Sequence, residues 1–160
     1  AIVLRLGTIC GLSPRMRFDL LVNEMARAAV LGEHLQVFAP EAWRPFLHIG
    51  DAARAVQWAI ERSAAPGSRR VYNVVGENYQ KKGLVALVRK HFPLAAVEVT
   101  DKIPDARDYR ADASRIRDEG GFTPRRSVED AFLDVAQAVR EGVFRDPRWP
   151  GHSAAPLVKE

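Results

Sequence analysis

The chain has 160 residues, 47% of them hydrophobic and 28% charged, with 10 prolines and 11 glycines. That composition fits one ordinary globular domain and excludes disordered, collagenous and coiled-coil classes. An excess of 24 Lys plus Arg over 20 Asp plus Glu leaves a formal charge of +4, suited to an anionic partner, and the single cysteine, Cys10, excludes an internal disulfide or a multi-thiolate metal site, so a reduced cytoplasmic setting is expected.

Ala1 to Leu6 is short, branched and almost wholly apolar and stops at Gly7, the pattern of a strand buried on both faces of a parallel sheet. Such a strand asks for neighbours beyond this chain. With no initiator Met ahead of it, the chain reads as the interior of a larger protein. After GTICGLSPRMR, the residues Phe18, Leu21, Val22, Met25 and Ala29 recur at helical spacing towards a stop at Gly32. LQVF is a brief strand and RPFLHI a second extended piece. Asp51 is a plausible N-cap for a helix with Ala52, Ala55, Val56, Ala59 and Ile60 on one face, closed by Pro66 and Gly67.

RRVYNVVG predicts a strand, Glu77 and Asn78 a turn, and Leu84, Leu87, Val88 and Phe92 a helix closed by Pro93. AVEVT alternates as a half-exposed strand, and Ser114 to Glu119 forms a short helix stopped by Gly120 and Gly121. Ser127 and Asp130 make a capping box for a long helix with the stripe Val128, Phe132, Val135 and Val139. Residues 145–160 read as a flexible tail after a folded unit over 1–144. Alternating strands and helices imply an α/β architecture. No apolar stretch is long enough to span a bilayer, and AIVLRLG lacks the features of a signal peptide, so no membrane association is expected.

Several chemistries have no sequence support. There is no GxGxxG or GxxGxxG at a strand-to-helix junction and no Walker-type loop. His34, His48, His91 and His152 are isolated from one another and show no metal-ligand spacing. No GxSxG elbow occurs, and Cys10 reads as a buried structural thiol. Nucleic-acid binding is not expected, because the cations are scattered and Trp43, Trp58 and Trp149 do not alternate with them as a stacking platform.

The concentrated signal is arginine. Arg15 and Arg17 in SPRMRFDLLVN precede a helix, where free backbone N–H groups and the helix dipole also favour an anion such as phosphate. Arg44 in WRPFLH supplies a third planar fork, and Asn23 a directional hydrogen bond. On composition alone, solubilising surface arginines and an ordinary polar helix face remain the open alternative.

The ordered series LRLGTICG, SPRMRFDLLVN, WRPFLHIGDAARAV, VYNVVGENYQKKGLVALV and DARDYRADASRIRDEGGFTPRRSVEDAF resembles the C-terminal part of the NAD(P)-dependent epimerase/dehydratases, extended short-chain dehydrogenase/reductases that act mainly on nucleotide sugars. The resemblance spans Ile2 to Phe144. It implies the end of a Rossmann-like parallel sheet joined to a small α/β substrate-binding lobe, with the cofactor-binding Rossmann segment as a missing partner. By the same resemblance, Gly7 and Thr8 lie beside the NAD or NADP and the sugar. Arg15, Arg17 and Asn23 lie near the nucleotide diphosphate, Arg44 grips it, and Arg107 brings a second cation, with Lys102 as competitor. His48 and Asp51 match the family's strand-to-helix junction, Asp51 as N-cap rather than catalyst; Tyr109 and Asp112 read as structural, and Arg125 and Arg126 as solvated.

The departures from the family pattern are also informative. No Tyr-x-x-x-Lys pair occurs; in the family it precedes the LRLGT strand. Cys10-Gly11-Leu12 stands where Tyr-Gly-Pro is common, and APEA where a glycine-rich turn is usual. The resemblance therefore implies a substrate-binding portion of a nucleotide-sugar epimerase or dehydratase, without a catalytic residue of its own and binding no cofactor alone, from an intact protein of a family that often dimerises. The alternatives are a reductase acting on a non-nucleotide carbonyl compound, in which Arg15, Arg17 and Arg44 do not converge, and a truncated non-catalytic binding module.

Overall fold

The computed structural model describes residues 1–62, 69–101, 107–144 and 146. Pro66, Gly67, Lys102 and all but Asp146 of the expected tail lie outside them. In chain order the elements are β1 (Ile2–Leu6), β2 (Thr8–Cys10), α1 (Leu21–Leu31), β3 (Leu35–Phe38), β4 (Trp43–His48), α2 (Ile49–Glu61), β5 (Arg70–Val74), β6 (Glu77–Gln80), α3 (Lys81–His91), β7 (Val97–Thr100), α4 (Ser114–Gly120) and α5 (Val128–Arg140).

Three small sheets organise these strands: β1 beside β5, β2-β4-β6 with β4 central, and β3 beside β7. β1, β2 and β3 run parallel to their partners, whereas β6 runs antiparallel to β4 with Arg44 opposite Tyr79 and Phe46 opposite Glu77. The period-two alternation of β4 makes it the wall between two cores. Phe46 joins a cluster built on α1, α3 and α5, including Met25, Leu84, Val88, Phe132 and Val135, while Leu47 joins one with Ala55, Trp58, Tyr72, Ile116 and Phe122.

Helix boundaries follow local chemistry where caps are strong. Gly32 and Gly121 end α1 and α4 in the left-handed conformation, which glycine adopts without a Cβ clash. The Ser127–Asp130 capping box opens α5, and Val128, Phe132, Val135 and Val139 are all buried. α1 begins at Leu21, after Phe18, whose ring instead packs edge-on against Phe144 at 5.0 Å.

Three expectations are corrected by tertiary context. β1 is not buried on both faces: Val3 is 46% and Leu6 38% exposed, because among the described strands only β5 pairs with it. Glu77 and Asn78 form no turn but open β6, a polar strand whose main chain completes the edge of β4. Asp51 is not the cap of α2. His48 takes that place, its Nδ1 accepting the Gly50 N–H at 3.0 Å, because β4 runs straight into the helix. Val56 and Ile60 point away from the core and border an open apolar groove with Ile2 and Leu4.

Candidate functional site

Arg44, near the start of β4, is only 6% exposed. Its NH1 donates to the Trp43 carbonyl at 2.9 Å, and its Cζ lies 5.9 Å from the centre of the Tyr109 ring. A guanidinium at this depth is held in a fixed orientation, as planar, bidentate recognition of an anion requires. Tyr109 belongs to a strap, residues 107–113, that bonds to β4 at Trp43 and to β6 at Asn78. Asp108 Oδ1 accepts the Trp43 N–H at 2.8 Å, the Tyr109 N–H donates to the Trp43 carbonyl at 3.2 Å, and the Arg110 guanidinium stacks 4.9 Å over the Trp43 ring. Further along, Asn78 closes a two-bond clamp on Ala111, donating to its carbonyl at 3.1 Å and accepting its N–H at 3.0 Å. Asn73 donates to the Asp112 carbonyl at 3.0 Å.

Arg107 directly precedes Asp108, so it emerges at the Trp43 end of β4, the end that carries Arg44. Asp112 is structural. Its carboxylate accepts the Ser114 N–H and hydroxyl, both at 2.8 Å, and these bonds hold its pKa below the ordinary value.

Arg15 and Arg17 lie elsewhere, on the loop that leaves β2. Cys10 at the end of β2 pairs with His48, four residues beyond Arg44, so the loop departs ~13 Å along β4 from it at about 3.3 Å per residue. Both arginines are exposed, and they alternate with Met16 and Phe18, which are buried in the core. Arg17 is engaged in a two-pronged ion pair with Asp19, which raises its already high pKa. Asn23 is 3% exposed and spends both ends of its amide on this loop, accepting the Gly11 N–H at 2.9 Å and donating to the Arg17 carbonyl at 3.0 Å.

Gly7 bridges β1 and β2 and donates its N–H to the Val74 carbonyl at 2.9 Å. A Cβ there would sit 3.2 Å from the Pro45 carbonyl oxygen, so this glycine makes room for the main chain of β4. Thr8 pairs with Phe46.

His48 accepts at Nδ1, which leaves the proton on Nε2, 3.3 Å from Asp134 Oδ2. Arg126, although 43% exposed at its side chain, reaches the same oxygen at 2.9 Å, so it is paired rather than simply solvated. Asp51 Oδ2 accepts the N–H groups of both Arg125 and Arg126 at 2.9 and 2.8 Å. Cys10 is buried, and desolvation, reinforced by the nearby Glu77 charge, pushes its thiol up to about 12. Among the described residues no group of three His, Cys, Asp or Glu side chains could hold a metal ion, and no helix is long and apolar enough to cross a membrane.

Sequence reasoning missed Asn78, Asp108 and Asp134. Nothing in their local patterns marks them, since each bonds a segment 33 to 86 residues away.

Residues 1–75 match the model of the NAD dependent epimerase/dehydratase family. That match covers the first 75 of the 160 residues. Solved structures with the same fold include the UDP-glucuronic acid 4-epimerase of Bacillus cereus in complex with UDP-glucuronic acid and NAD, 21% identical with a TM-score of 0.74 over 88% of this chain and 45% of that one. The dTDP-glucose 4,6-dehydratase of Bacillus anthracis in complex with NAD is 20% identical, with a TM-score of 0.71 over 88% and 44%. The RMD protein of Pseudomonas aeruginosa complexed with NADPH is 19% identical, with a TM-score of 0.72 over 89% and 49%. The chain spans about half the length of the solved structures it matches.

Proposed function

We propose that this chain is the substrate-binding portion of an NAD(P)-dependent nucleotide-sugar epimerase or dehydratase, holding the diphosphate of a sugar nucleotide. The observation that carries the reading is Arg44, a deeply set guanidinium at the end of β4 where the strap delivers Arg107. The fold relationship to enzymes solved with UDP-glucuronic acid and with NAD supports it. In this reading Arg44 and Arg107 neutralise the diphosphate. Arg15 and Arg17 approach it from the loop after β2, which Asn23 adjoins. Gly7 and Thr8 border the cofactor, whose redox chemistry a separate Rossmann segment positions. The chain's own residues bind and orient the substrate; no proton transfer is assigned to them, and the isolated chain is inactive.

The Arg17–Asp19 pair and the departure of that loop well along β4 from Arg44 favour one second reading, a reductase that acts on a carbonyl compound without a diphosphate. Calorimetric titration of the chain with UDP- and dTDP-sugars separates the two. Measurable binding that Arg44→Ala weakens by about tenfold or more, the loss of a charge-assisted bidentate contact, supports the sugar-nucleotide site. No heat at millimolar ligand overturns it.

A further inference from the structure

The loop between β2 and α1 bears two of the proposed diphosphate-binding cations, and side-chain bonds hold both of its ends. It opens at Gly11, where φ is +108° and a Cβ would lie 3.2 Å from His48 Nε2. It then makes one local turn, in which Ser13 Oγ accepts the Arg15 N–H at 3.1 Å. Leu20, the residue before α1, supplies no side-chain cap. Buried Met16 and Phe18 fix which residues face inward. Met16 also forms a β-bridge, which fixes the middle of the loop.

Asn23 holds the ends. Its side chain, on the first turn of α1, reaches back to both ends of the seven-residue span from Gly11 to Arg17. The two partners are one donor and one acceptor, so the amide orientation is unambiguous. Asn is required by that pair: Asp would place a second acceptor against the Arg17 carbonyl, and Leu would leave both main-chain groups without partners. Both polar atoms of the amide are engaged by protein, with Oδ1 and Nδ2 each within 3.0 Å of a backbone atom.

We infer that Asn23 is a positioning residue for the anion-binding loop, acting on ligand through Arg15 and Arg17 rather than by touching it. This rests on the sugar-nucleotide reading above. Closing the loop before ligand arrives removes the ordering entropy that binding would otherwise have to supply.

The test is a double-mutant cycle on the full chain with UDP as the probe, together with amide hydrogen exchange at Gly11. Asn23→Ala is expected to accelerate Gly11 exchange and to weaken UDP binding about tenfold in the unaltered background. In an Arg15→Ala/Arg17→Ala background, the same substitution is expected to change affinity less than about twofold. Asn23→Asp, which retains the acceptor for Gly11 but not the donor for Arg17, should protect the Gly11 amide while still weakening UDP binding. A loss of affinity equal in both backgrounds overturns the inference and makes Asn23 a direct ligand contact. Unchanged Gly11 exchange in a folded Asn23→Ala chain overturns the loop-holding role. Failure of the unaltered chain to bind UDP overturns the sugar-nucleotide reading and the ligand half of this inference, while the exchange measurement still decides whether Asn23 holds the loop.

Discussion

Replacing Asp51 separates two roles that a single buried carboxylate performs. The side chain has no exposed surface at residue level. Its Oδ2 accepts the Arg125 and Arg126 N–H groups, and its Oδ1 pairs with Arg54 at 2.5 Å. Asp51→Ala removes the acceptor for two main-chain donors at once. At about 1–3 kcal/mol per buried polar group left unsatisfied, the expected cost is roughly 2–6 kcal/mol, a large share of the 5–15 kcal/mol or so typical of a domain. Asp51→Asn can keep its oxygen at the Oδ2 position and so retain both donors, losing only the ion pair to Arg54. That arginine is a third exposed, where such a pair contributes about 0–1 kcal/mol. Urea unfolding monitored by circular dichroism should therefore show a large drop in midpoint for Ala and a small one for Asn, with an unchanged slope. Equal costs for the two variants would refute the reasoning, because the ion pair and not the backbone acceptance would then be the stabilising feature.

Gly120→Ala is expected to destabilise by about 1–3 kcal/mol through overpacking, since its Cβ would lie 2.5 Å from Trp58 Cζ2. Trp58 also donates Nε1–H to the Gly120 carbonyl at 3.0 Å, so tryptophan fluorescence should shift with the loss of stability; an unshifted spectrum and an unchanged midpoint would count against this packing. Acid should weaken the cap of α5. The Ser127 N–H and hydroxyl hold the Asp130 carboxyl below its ordinary pKa, so the native state binds the proton less readily than the unfolded one. The associated stability is present above the unfolded pKa and lost as pH falls through the folded pKa. Comparing Asp130→Asn with the unaltered chain from pH 7 to pH 3 should show the stability difference shrinking as the pH drops, whereas a constant difference would exclude the linkage.

The family resemblance, the α/β class and most element positions were legible in the sequence. Gly32, Gly121 and the Ser127–Asp130 box fix helix ends by chemistry within a few residues, and the apolar stripe of α5 specifies its buried face by helical periodicity alone. The sequence also singles out arginine, and the structure divides that set, bringing Arg107 to the Arg44 end of β4 and leaving Arg15 and Arg17 on the loop after β2. What the tertiary structure decided are the features set by distant partners. β6 is polar and becomes a strand because β4 offers an open edge. Asp51 loses the cap of α2 to His48 because β4 runs straight into the helix, and its oxygen instead accepts two main-chain donors 74 and 75 residues away. Gly120 ends a helix in the sequence, yet in the fold it also admits an indole. Asn23 has the spacing of an ordinary polar helix position, and only the folded loop shows both ends of its amide bonded to main chain. Periodicity and capping act within one or two turns, so they are written locally; hydrogen bonds that close loops depend on which segments the cores bring together.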